Sequence, residues 1–233
     1  MLVFGKNVAK DLLQYPEKIQ KVFLQDGFSD KELISSLENA NLKIEYLSKK
    51  EMDRLSNGVH QGIILTIPDY HYQNLDSIIN STNDDVVVML DHIEDPHNFG
   101  AIIRTCEAAG IHSIIIPKDR QVPITSTVMK TSVGTVDNMN IVSVSNLANA
   151  IEKLKDTGYW IVGTSLENSV DYREVDYSGK IVIVIGNEGK GISHLISQKC
   201  DYLVKIPMYG KTNSLNASVA AGIMIYEVIR NRK

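Results

Sequence analysis

From Val86 onward the chain carries six short runs that are almost wholly apolar, at 86–90, 113–116, 141–144, 160–163, 181–185 and 202–206. A strand with one wet face alternates apolar and polar residues. A continuous apolar run instead marks a strand covered on both faces, the signature of a parallel sheet between helical layers. Helical patterns fall between the runs, near 98–109, 125–132, 146–156 and 192–198, with a last helix from about Leu215 to Arg230. The alternation predicts an α/β domain with a parallel sheet over residues 86–233.

The first 70 residues predict a separate, small α/β module. Val8 to Leu13 reads as a short amphipathic helix and Lys21 to Gln25 as a strand. Ser29 is placed to cap a helix running to about Ala40. Lys43 to Leu47 reads as a second strand, and Ser48 opens another helix with Glu51 at capping-box spacing. Ile63 to Ile67 closes the module as a buried strand. Residues 71–85 are rich in Asn, Asp and Ser, which predicts a linker between the two modules.

The opening residues MLVFGKNVAKDLL lack the basic patch, apolar run and cleavage site of a secretory signal. No stretch approaches the ~18 uninterrupted apolar residues of a membrane span. A cytoplasmic protein without a membrane partner is expected. Cys106 and Cys200 have no CxxC or CxxH spacing, so they read as two reduced thiols and neither as a nucleophile. The net charge of −4 and pI of about 5.9 weigh against a nucleic-acid partner, whose phosphates favour a basic protein. A local basic surface can overcome that balance.

Ligands of open α/β sheets bind beyond the carboxyl ends of the strands, and three loops there are unusual. After the run 86–90 come Asp91 to Gly110, in which Pro96 stops the strand and Asn98 is a good N-cap. Arg104 and Glu107, three apart, share a helix face, where a surface ion pair is the plain reading. Acidic and imidazole groups crowd Asp91 to His97, yet their spacing matches no recognised ligand pattern, and no metal is expected. After 181–185 comes Gly186-Asn-Glu-Gly-Lys-Gly191. Its glycines permit positive φ and close backbone approach to a ligand. It is neither a Walker A loop, since Ile192 follows Gly191, nor a GxGxxG fingerprint. A bland glycine turn into a helix capped by Ser193 explains the glycines but not Glu188. After 202–206 comes Pro207 to Gly222, where Ser214 can cap a helix beginning near Leu215, with Asn216 in its first turn. Residues 217–222 are nearly all small, so this helix can pack very closely; an ordinary capped terminal helix is the alternative.

Taken in order, these loops resemble the three motifs of the SpoU/TrmH family of SPOUT methyltransferases. Asn98, Arg104 and Glu107 resemble the first, Gly186 to Gly191 the second, and Ile206-Pro-Met208 through Ser214-Leu-Asn-Ala-Ser-Val-Ala220 the third. The N-terminal segments Val3-Phe-Gly5 and Gly58-Val-His-Gln-Gly62 resemble the RNA-binding domain of the RlmB-like branch. The resemblance implies a trefoil-knotted methyltransferase domain, bound S-adenosyl-L-methionine, and a homodimer in which both subunits contribute to each site. It assigns the cofactor to Gly186, Ile206 and Leu215, with Thr164 and Met208 nearby. It assigns catalysis to Arg104; Asn98, Glu188 and Asn216 would then orient it and the ribose, and Ser214 could hydrogen-bond either. The implied reaction is 2′-O-methylation of RNA, with a guanosine of 23S rRNA as target and a guanosine in the tRNA D-loop as the alternative.

Arg104 is often assigned as a general base in this family, but a guanidinium is not deprotonated in proteins. Stabilising alkoxide charge, with an RNA phosphate taking the proton, is the easier role. Lys6, Lys10, Lys49, Lys50 and Arg54 are candidates for RNA backbone contact, although basic side chains on helices also serve as plain solvated surface. The rival readings are a non-catalytic RNA-binding or ribosome-assembly protein, and a nucleotide hydrolase misread through its glycine loop.

Overall fold

The structure, a computed structural model, describes residues 1–56 and 59–232. Gly58, one residue of the N-terminal resemblance, lies outside them. In chain order the elements are β1 (Leu2–Phe4), α1 (Lys6–Leu12), β2 (Lys21–Gln25), α2 (Lys31–Asn39), β3 (Ile44–Leu47), α3 (Lys49–Leu55) and β4 (Ile63–Thr66). There follow α4 (Asp76–Ile79), β5 (Val86–Asp91), α5 (Pro96–Ala108), β6 (Ser113–Pro117), α6 (Ser126–Thr131) and β7 (Asn140–Val144). The chain ends with α7 (Leu147–Asp156), β8 (Tyr159–Thr164), β9 (Val170–Asp171), β10 (Lys180–Gly186), α8 (His194–Ser197), β11 (Tyr202–Lys205) and α9 (Ala217–Arg230).

Two compact units result. The first comprises Met1–His71 with Ile124–Lys130, and the second Tyr72–Pro123 with Thr131–Lys233.

Among the described residues, the sheet of the first unit has the order β1-β4-β2-β3, with β2 and β3 parallel and β4 antiparallel to both β1 and β2. Its core gathers Val22, Leu24, Leu33, Leu37, Ile63 and Leu65, with Met129 packed against them. Helix α2 is capped by Asp30, which accepts from the Leu33 amide at 3.2 Å, not by Ser29 as expected. The Ser48–Glu51 capping box at α3 forms as expected, with Ser48 N donating to Glu51 Oε2 at 2.9 Å.

The second unit is built on a parallel sheet of order β7-β6-β5-β10-β8-β11-β9. One face buries Val87, Met89, Ile115 and Val182 against Ile151 and Leu154 of α7. The other face carries Val88, Ile114, Ile183 and Ile185, also buried, on the side where α9 packs β10 and α5. Both faces are covered, which is why the strands read as unbroken apolar runs. Residues 72–85 belong to this unit: Gln73 bridges Val142, and Ile78 is fully buried.

The chain runs outward from β5 through β6 to β7, then returns to build the other half from β8 and β10. The order therefore reverses at the boundary of β5 and β10. Their carboxyl ends coincide there, Gly186 pairing in register with Asp91. An open sheet offers a crevice at such a switch point.

Candidate active site

Three segments converge at that crevice. Helix α5 starts from Asp95, whose carboxylate accepts from the His97 amide at 2.8 Å, with Pro96 in the first helical position. Asn98 is thus not the N-cap that its type suggests. It sits in the first turn, where it is buried and its side chain is free to reach across the site. Asn98 Nδ2 donates to Glu188 Oε1 at 2.6 Å. Helix α9 is capped by Asn216, whose Oδ1 accepts from Ser218 N at 3.0 Å and Val219 N at 3.3 Å. The expected cap, Ser214, is an exposed residue two positions upstream. Asn216 Nδ2 donates to Glu188 Oε1 at 2.5 Å and to Asn98 Oδ1 at 2.9 Å. The Ala217 amide adds a longer bond to the same Glu188 oxygen, at 3.3 Å.

One carboxylate oxygen therefore collects donors from two asparagines and a helix terminus, 90 and 28 residues away for the asparagines. The positive end of the α9 dipole favours that negative charge. Asn98, Glu188 and Asn216, named from separate motifs, form one hydrogen-bonded cluster.

Arg104 and Ser214 are not brought into it. Arg104 lies on an exposed part of α5, and its side chain makes no hydrogen bond or ion pair among the described residues. Helical periodicity puts it over Gly100 and Ala101, off the face that carries Asn98. The plain ion pair with Glu107 does not form; Glu107 instead accepts from Asn138 Nδ2 at 3.5 Å.

The glycine loop is a small hairpin closed by Asn187 N to Gly191 O at 3.1 Å and Gly191 N to Asn187 O at 2.8 Å. Gly191 takes φ +66°, as only glycine does freely. At Gly186 the hairpin itself requires glycine: a Cβ there would lie 2.1 Å from the Gly191 carbonyl carbon. At α8, Ser193 holds the N-cap position without a side-chain cap bond.

The segment 206–215 has the character of a pocket wall. Ile206, Met208 and Leu215 are half-buried. No backbone group of 206–215 bonds to another backbone group of the described residues. Apolar side chains beside open amide donors and acceptors suit an aromatic heterocycle, which needs both stacking surface and edge hydrogen bonds. Thr164, at the end of β8, donates through Oγ1 to Val184 O at 3.2 Å.

Residues given no role from sequence also hold the crevice. Asp91 is 1% exposed and accepts from the Ser193 amide at 2.6 Å, while Asn187 Nδ2 donates to His92 O at 3.1 Å. His92 has φ +65°, an uncommon conformation outside glycine. The one available signal was a carboxylate ending an apolar strand.

Both cysteines are unreactive by environment. Burial raises the Cys106 thiol far above its ordinary value and pushes Cys200 up to about 12. The folded protein should take up no iodoacetamide at mildly alkaline pH and two equivalents after unfolding; an adduct on the native protein by intact mass would contradict this.

The first unit carries its own feature, a cleft of about 650 Å³ lined by Lys6, Phe28, Ser29, Lys49, His60 and Gln61. His60 accepts the Gly62 amide on Nδ1 at 2.9 Å, so its proton sits on Nε2, facing Asp53 Oδ1 at 3.0 Å. Lys6 Nζ lies 5.0 Å from the Phe28 ring centre and 3.2 Å from Asp30. Of the expected basic contacts, Lys6 and Lys49 line this cleft; Lys10, Lys50 and Arg54 do not.

Comparison with known proteins gives a consistent picture. Residues 85–226 match the SpoU rRNA Methylase family, and residues 2–73 match the RNA 2′-O ribose methyltransferase substrate-binding family. A relative from Staphylococcus saprophyticus, named as a TrmH family tRNA/rRNA methyltransferase, is 44% identical, the alignment covering 100% of this chain and 96% of the relative. An AdoMet-bound rRNA methyltransferase from Sinorhizobium meliloti is similar in structure, with TM-score 0.76 and 26% identity over 98% of this chain and 86% of that one. The SpoU methyltransferase AviRb from Streptomyces viridochromogenes, in complex with AdoMet, shares the fold with TM-score 0.81 at 24% identity, over 100% of this chain and 90% of that one.

Proposed function

The chain belongs to the SpoU rRNA methylase family, and from that membership we propose that it transfers a methyl group from S-adenosyl-L-methionine to a ribose 2′-oxygen of RNA, with a guanosine of 23S rRNA as target. The observation that carries the reading is the Asn98–Glu188–Asn216 cluster at the switch point, assembled from all three motif loops. A merely structural loop has no need of a carboxylate collecting two amides at the mouth of a crevice. The intact cluster also disfavours a non-catalytic assembly protein, and the absence of a lysine–hydroxyl pair after Gly191 disfavours a nucleotide hydrolase.

Residues 206–215 would hold the cofactor through backbone amides and the apolar walls of Ile206, Met208 and Leu215, with Gly186 and Thr164 bounding the same end of the sheet. When bound, S-adenosyl-L-methionine supplies an electrophilic methyl group. The work left to this chain is to orient the ribose and manage a proton. Glu188 fixes the amides of Asn98 and Asn216, and Ser214, exposed beside them, has its hydroxyl available to the ribose. Arg104 stabilises charge on the 2′-oxygen while an RNA phosphate accepts the proton.

Arg104 stands apart from the cluster of its own chain, and its side chain has no partner among the described residues. That arrangement fits a homodimer in which each site is completed by a second copy.

RNA backbone contact falls to the cleft of the first unit. Changing Lys6 and Lys49 together to Ala should weaken binding to all RNA sequences alike and lower the magnitude of the salt slope by about 1–2. Cofactor affinity by calorimetry should stay unchanged. An unaltered salt slope would remove the cleft from the RNA surface.

The function is tested by transfer of labelled methyl from S-adenosyl-L-methionine to RNA from cells lacking the gene, fractionated into tRNA and large-subunit rRNA. Label recovered as 2′-O-methylguanosine in 23S rRNA is the expected result. Label in tRNA keeps the chemistry and replaces the substrate. No label in either fraction overturns the reading.

A further inference from the structure

We propose that Asp91 and Asn187 are positioning residues for methyl transfer, acting as a two-point latch that aims Glu188 at Asn98 and Asn216; this rests on the methyltransferase reading above. Glu188 sits at the turn of the 187–191 hairpin, and such a loop has no core of its own to fix it. The two ends of the loop are tied to two adjacent residues, Asp91 and His92. At its exit, the Ser193 amide donates to Asp91 Oδ2 at 2.6 Å. At its entry, Asn187 Nδ2 donates to the His92 carbonyl at 3.1 Å, while Asn187 Oδ1 accepts from Gly189 N at 2.9 Å inside the turn.

Asp91 is 1% exposed, and a buried carboxylate needs its donors supplied. It has two, because its Oδ1 also meets His92 Nδ1 at 2.5 Å. That contact secures His92 in its left-handed conformation, φ +65°, from which its carbonyl meets Asn187. Unusual backbone of this kind persists where surrounding contacts over-determine it, and it clusters at functional sites. Asn187 thus reaches the loop after β5 while its neighbour Glu188 reaches α5 and α9. Among the described residues neither Asp91 nor Asn187 bonds to Asn98 or Asn216, and the proposed route of their effect is through Glu188.

The test is a double-mutant cycle on methyl transfer to total RNA from cells lacking the gene. Asn187→Ala and Asp91→Asn are each combined with Glu188→Gln. Each single change should lower kcat by about tenfold, since small misplacements at a reacting centre cost one to two orders of magnitude. In the Glu188→Gln background the same changes should cost less than about twofold, because residues acting through one group are not additive. Hydrogen exchange across 187–193 should accelerate in Asp91→Asn, reporting the freed Ser193 amide. Losses that multiply independently of Glu188 overturn the positioning role and leave the methyltransferase reading standing. No transfer by the unaltered protein overturns both. Should Asp91→Asn fail to fold, the Asn187→Ala cycle, a change on a surface loop, decides the question alone.

Discussion

Arg104→Ala is expected to lower methyl transfer by about 10²–10³-fold, the usual cost of removing one preorganised group that stabilises developing charge. Folding should be untouched. The side chain is exposed and has no partner among the described residues, and surface changes of that kind usually stay within about 0.5 kcal/mol. Cofactor affinity should also hold, because the apolar walls and open amides proposed for S-adenosyl-L-methionine lie in 206–215, outside α5. The loss should appear in kcat, and Arg104→Lys should recover little of it, since a point ammonium lacks the planar fork. If Arg104 stabilises charge without giving up its proton, the rate will be flat across the alkaline range in which a base would have to ionise. Turnover within a few-fold of the unaltered protein would remove Arg104 from the chemistry.

A rescue experiment separates the two ways in which Arg104 could serve its site. If a second copy supplies the arginine, mixing Arg104→Ala with a Glu188→Gln chain should regenerate about a quarter of full activity per site, as random pairing predicts for two subunits. No regeneration on mixing and re-equilibration would place both groups in one chain.

What was legible beforehand follows from length and from competition between side chains. Strands β5, β6, β7, β8, β10 and β11 are each four or more residues long and mostly apolar, long enough to carry a signal. Strands β1 and β9 span three and two residues, and nothing periodic fits in so short a piece. The caps were harder, because Asp, Asn and Ser all serve and several stand side by side. Pro96 at the first helical position fixes Asp95 as the cap and leaves Asn98 for Glu188. Asn216 does both tasks at once: its oxygen caps α9 and its amide nitrogen meets Glu188. The three motif loops showed which residues mattered, but long-range partners such as Asp91 and Ser193, 102 residues apart, leave no local pattern to read.

Gly186→Ala should be the most damaging single methyl group in the chain, and Gly222→Ala is its control. At Gly186 a Cβ would fall 2.1–2.4 Å from backbone atoms of Gly191 and Ile192, so no rotamer change relieves it and the hairpin itself must move. Overpacking commonly costs 1–3 kcal/mol, and a collision with backbone should reach about 3 kcal/mol or more. For a chain of this size that corresponds to a fall in Tm of roughly 6–12 °C. Any displaced hairpin carries Glu188 with it, so methyl transfer should fall even in molecules that remain folded. At Gly222, by contrast, the new Cβ would meet only Thr105 Cγ2 at 3.9 Å, an ordinary contact. Helix propensity then favours alanine by about 0.8–1 kcal/mol, and Tm should stay level or rise. Within the small-residue run 217–222, burial falls on Ala217 and Ala221 rather than on every residue. Thermal melts of the two variants distinguish these cases. A Gly186→Ala protein that melts with the unaltered chain would mean that the loop has room its backbone does not show, and that the glycine is kept for what approaches it from outside.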